Sequence, residues 1–66
     1  MTPNASILLD RAREVWRHNW NMSLSDSMEC ETFIKVLAAC ESDAREVDGD
    51  MEAFIMHKLE EIEARS

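Results

Sequence analysis

The chain has 66 residues, seven Lys or Arg against fourteen Asp or Glu, and a formal net charge of −7. A chain this short buries only about 60% of its unfolded surface on folding, so it is one domain with a thin stability margin and too few walls for a deep catalytic cleft. One Gly, one Pro and an apolar fraction of 45% exclude a turn-rich β fold and a chain unfolded throughout, and point to an all-α protein.

The first predicted helix covers about residues 3–20. Thr2-Pro3 reads as an N-cap followed by a first-turn proline. Ala5, Leu8, Leu9, Ala12, Val15, Trp16 and Trp20 then recur mostly at spacings of three and four. A polar stretch from Asn19 to Ser27 follows, with Met22 and Leu24 as its apolar pins.

The second predicted helix covers about 27–47, with Asp26 as N-cap and Glu29 three residues on, as in a capping box. Cys30, Phe33, Leu37, Cys40, Ala44 and Val47 alternate spacings of 3 and 4, a register suited to antiparallel helix packing or a short coiled-coil seam. Ile34 and Val36 widen that stripe. Asp48-Gly49-Asp50 breaks the pattern: Gly49 is expected as a C′ residue or sharp turn, and Asp48 or Asp50 as the next cap. The third helix, about 50–64, places Met51, Phe54, Ile55, Leu59 and Ile62 on one face. The expected architecture is a three-helix domain over 1–66, a helical hairpin or bundle.

No residue set carries a recognisable chemistry. On one helix, Cys30 and Cys40 lie ten residues, about 15 Å, apart, too far for a disulfide, so two free thiols in a reducing compartment are expected. His18, Cys30, Cys40 and His57 lack metal-ligand spacing, and no metal or other cofactor is expected. A calcium loop with Gly49 at its sixth position would begin at Ala44 and end at Ile55, neither a carboxylate. No nucleophile stands at a telling distance from a base, and no glycine-rich loop cradles phosphate, so the chain reads as non-enzymatic. No apolar run approaches the length of a membrane span, about 18 residues. The opening Met1-Thr2-Pro3-Asn4 lacks the basic and apolar regions of a signal peptide, and a cytoplasmic location is expected.

Charge is unevenly placed. Residues 1–20 hold Arg11, Arg13 and Arg17 against Asp10 and Glu14, which is +1. Residues 21–66 hold twelve acids against Lys35, Arg45, Lys58 and Arg65, which is −8. Arg13, Arg17 and Trp20 fall on one helical side at i, i+4 and i+7, with His18 nearby. Trp and Arg are the residues most enriched at binding hot spots, so Arg13, Trp16, Arg17 and Trp20 form the expected partner contact. The same residues could stack on bases, but the acidic body repels nucleic acid and leaves that as an alternative. Glu41, Asp43, Glu46, Asp48, Asp50 and Glu52 form either a solvated surface or a negative face aimed at a basic partner, in its strongest form a nucleic-acid mimic.

Three wide apolar stripes without a staple call for association, and a two-fold dimer is the commonest solution. Met51, Ile55 and Met56 are the expected dimer seam or partner groove. The function expected from all this is a small acidic protein–protein interaction module, a regulator or inhibitor of a macromolecular partner. Phage- and plasmid-encoded modulators of host machinery, viral proteins included, are molecules of this kind.

Overall fold

Three helices organise the chain in a computed structural model that describes residues 3–18 and 21–65: α1 Asn4–His18, α2 Leu24–Ser42 and α3 Gly49–Arg65. No strand occurs among the described residues, and the all-α class holds. Thr2, Asn19 and Trp20, assigned above to the ends of the first helix, lie outside them. The Pro3 carbonyl accepts the Ser6 N–H at 3.2 Å and closes the first turn of α1.

α2 starts and stops earlier than its apolar register predicts. Its N-cap is Ser23, not Asp26: the Ser23 backbone is extended at φ −64°, ψ 160°, and its Oγ accepts the Asp26 N–H at 3.1 Å. Asp26 sits inside the first turn, where its carboxylate is taken by Arg65. The far end closes at Ser42 rather than at 47. Ala44 takes a left-handed φ of 55°, its N–H donates to the Glu41 carbonyl at 3.1 Å, and the Arg45 N–H donates to the Cys40 carbonyl at 2.9 Å. These two bonds make a Schellman termination with Ala in the position that glycine normally fills. Gly49 is therefore not the terminator. It opens α3 with no positive φ, and Asp48 caps that helix by accepting the Asp50 N–H at 2.8 Å.

One apolar core joins the three helices. Leu8, Leu9, Ala12 and Val15 of α1 meet Cys30, Phe33 and Leu37 of α2 and Ile55, Leu59 and Ile62 of α3. Each large side chain withdrawn from water contributes about 1.5–3 kcal/mol, which is most of what holds so short a chain together. Met22 and Val47 pack onto this core from the two connections. Leu24, expected beside Met22 as a pin, is exposed.

The packing is uneven. α1 lies closest to α2, less close to α3, and α2 and α3 approach each other least. Ala5 and Ala12 are fully buried on α1, and their short side chains let neighbouring helices come near. Between α2 and α3, Phe33 and Phe54 meet edge to face at a centroid distance of 6.2 Å, and two rings hold helix axes farther apart than alanines do. Polar tethers set the directions. Asn4 pairs with Glu52 and Arg11 with Glu63, so α1 and α3 run the same way. Arg65 grips Asp26, so the end of α3 meets the start of α2. The described residues span 35 × 19 × 16 Å.

Candidate functional site

The Arg–Trp face of α1 survives as an exposed feature. Ala12 and Val15 point into the core, which rotates Trp16 to the rim, where it remains 41% exposed. Arg13 and Arg17 continue the same side into solvent. Trp20, the fourth member of the expected contact, lies outside the described residues.

Pairing separates these two arginines from every other cation. Arg11 bonds Glu63 and stands 3.8 Å from Glu14; Lys35 lies 3.3 Å from Glu31, and Arg45 lies 3.3 Å from Asp43. Lys58 is 3.6 Å from Glu61, and Arg65 holds Asp26 at 2.6 Å. Among the described residues, Arg13 and Arg17 alone of the Lys and Arg side chains have no carboxylate within ion-pair reach. Asp10, Glu14 and His18 share a shallow polar groove with them. Arg11, however, draws Glu14 to its own side.

The residues expected at a dimer seam are separated by the structure. Ile55 is 1% exposed and belongs to the core with Leu59 and Ile62, so it is withdrawn from any partner surface. Met56 is half-buried and packs on the core. Only Met51, 48% exposed, presents an open face. The reason is angular: 55, 59 and 62 define the inward direction of α3, Met51 falls on the flank toward α2, and Met56 on the flank toward α1. Two residues not singled out for this role join Met51 instead. Phe54 is 49% exposed and Val36 on α2 is 48% exposed. Each lies one helical step off the buried spacing of its own helix, toward the neighbour it barely touches.

The six acidic residues at 41–52 gather at one end. Glu41, Asp43, Glu46, Asp48 and Asp50 are exposed along the α2–α3 connection and its flanks. Asp43 pairs with Arg45, Asp48 is used as a cap, and Glu52 is half-buried against Asn4. Asn4, at the start of α1, is bonded to the same connection through Val47. The C-terminal half of α1, with Arg13 and Arg17, therefore points away from the acidic end. That opposite end also carries acids, since Glu63, Glu61 and Asp26 stand there beside Arg11, Lys58 and Arg65.

Cys30 and Cys40 are free thiols. Burial, with Asp26 and Glu29 nearby, pushes the Cys30 thiol up and keeps it protonated and unreactive. Among the described residues, no three His, Cys, Asp or Glu side chains converge as a metal site would require, and no helix is long and apolar enough to cross a membrane. No family model matches the sequence, and no curated protein or solved structure matches it significantly.

Proposed function

We propose that this chain is a non-catalytic interaction module that regulates or inhibits a protein partner, and that α1 carries the contact through Arg13, Trp16 and Arg17. The observation that supports this reading is the pair of exposed arginines, left without ion-paired carboxylates, that share one side of α1 next to a half-exposed tryptophan. A tryptophan rim supplies desolvation, and each guanidinium offers a planar fork suited to a carboxylate. The matching surface on the partner is an apolar slot edged by Asp or Glu. A nucleic acid is a poorer match, because residues 21–66 carry −8 and repel phosphate.

Affinity capture from the native host, followed by mass spectrometry, tests the reading when run beside Trp16→Ala and an Arg13→Ala/Arg17→Ala double variant. A protein held by the wild type is expected to bind each variant more weakly by over about 1 kcal/mol. Equal capture by all three removes α1 from the contact. A gel shift at low salt that responds to the arginine variants would replace the protein partner with a nucleic acid.

The acidic end favours a second reading. Glu41, Glu46 and Asp50 are exposed with no cation partner among the described residues, and they could occupy the basic site of a nucleic-acid-binding protein. Binding of that kind would fall steeply with salt and with charge reversal across 41–50.

A further inference from the structure

We infer that the α2–α3 seam is the interface of a two-fold dimer of this chain, with Phe54 on the axis and Lys58 of each copy facing Asp50 of the other. Val36, Met51 and Phe54 are about half exposed, at 48%, 48% and 49%, and their helical phase puts them on the flanks that α2 and α3, the least closely packed pair, turn toward each other. The patch is continuous with the core, because Phe54 stands edge-on to Phe33, which is 8% exposed.

The charge order along α3 selects a second copy as the occupant. Asp50 lies four residues before Phe54 and Lys58 four residues after it, on the same side of the helix. Two α3 helices crossing antiparallel about Phe54 place Asp50 opposite Lys58, and the two-fold repeats the pair. A parallel arrangement would set Lys58 against Lys58. The Lys58 ammonium sits 5.8 Å from the Phe54 centroid, at the edge of the apolar patch, and its loose 3.6 Å contact with Glu61 of its own helix leaves N–H donors for Asp50 of the second copy. Met51, Phe54 and Lys58 follow the 3, 4 spacing of a helix–helix seam. The face can run no farther than the seventeen residues of α3, about 25 Å, so a modest affinity is expected. The α1 contact is not involved.

Sedimentation equilibrium over a range of concentrations, with helicity followed by circular dichroism, tests the dimer. The wild type is expected to dimerise, and Phe54→Glu and Val36→Glu are each expected to remain helical and sediment as monomers. Two variants keep the test sound should Phe54→Glu disturb its contact with Phe33. Asp50→Lys alone and Lys58→Asp alone are each expected to weaken association about tenfold or more. Mixing these two proteins is expected to restore it, because every substituted side chain then faces its opposite charge. A wild type that stays monomeric, a dimer indifferent to both glutamate variants, or a mixture no tighter than its components would overturn the proposal.

Discussion

The side-chain amide of Asn4 completes both backbone hydrogen bonds of Val47: its Oδ1 accepts the Val47 N–H at 2.6 Å, and its Nδ2 donates to the Val47 carbonyl at 2.9 Å. One residue of α1 thereby stands in for a strand neighbour and holds the α2–α3 connection against the start of α1. Asn4→Ala leaves the Val47 N–H and carbonyl without partners and removes the contact with Glu52; the two backbone bonds alone, at a net of about 0.5–1.5 kcal/mol each, sum to about 1–3 kcal/mol. Urea unfolding should show that loss. A midpoint equal to wild type would mean that water replaces the amide at no cost.

Asp26 and Arg65 join the start of α2 to the end of α3 through two bonds, Nε to Oδ2 at 3.1 Å and Nη2 to Oδ1 at 2.6 Å. The Arg65 guanidinium holds the Asp26 carboxyl below its usual range, and the Ser23 hydroxyl lowers it further, against the opposing effect of burial. The folded state therefore binds this proton less readily than the unfolded chain does. Stability from the pair is complete above about pH 4, the ordinary aspartate value, and is lost as pH falls through the lowered one. The gap in unfolding midpoint between wild type and Asp26→Asn should be constant from neutral pH to about pH 5 and then narrow. A gap of the same width at pH 2 and pH 7 would show that the charge on Asp26 is not what the pair contributes.

Ala44 and Gly49 occupy each other's natural positions. Ala44 holds φ at 55°, where an L side chain is strained, and its replacement by Gly is expected to stabilise by about 0.5–1 kcal/mol. Gly49 opens a helix with negative φ, and a Cβ built there meets nothing within 4 Å. Gly49→Ala is expected to add about 0.5–1 kcal/mol through the unfolded chain. Thermal melts of both single variants and the exchange variant check this, with the two gains expected to add.

Ile55 and Met51, four residues apart on α3, should respond oppositely to truncation. Ile55→Ala opens a cavity in the core that Ile55 shares with Leu37 and Leu59 and is expected to cost about 2–5 kcal/mol. Met51→Ala removes an exposed side chain and is expected to shift the stability of the monomer by no more than about 0.5 kcal/mol. Chemical denaturation of dilute samples separates the two, and comparable losses would contradict the burial described here.

The number of helices, their approximate extent and their inward faces were determined by sequence alone. Leu8, Leu9, Ala12 and Val15, then Cys30, Phe33 and Leu37, then Ile55, Leu59 and Ile62 all follow from periodicity, because burial on a helix repeats every three to four residues. What periodicity lacks is knowledge of partners distant in the chain. Asp26 reads locally as a cap, and only its contact with Arg65, 39 residues on, shows why Ser23 takes that place. Ala44 and Val47 continue a heptad that the backbone abandons at Ser42, because the Asn4 amide, 43 residues away, claims the Val47 peptide. Which flank of α3 stays open was likewise decided by the uneven spacing of the helices. So was the pairing that leaves Arg13 and Arg17 without carboxylates, since Arg11, on the opposite side of the same helix, reaches Glu63 across 52 residues of sequence and they do not. Local pattern set the elements; contacts across the chain chose the ends, the caps and the exposed faces.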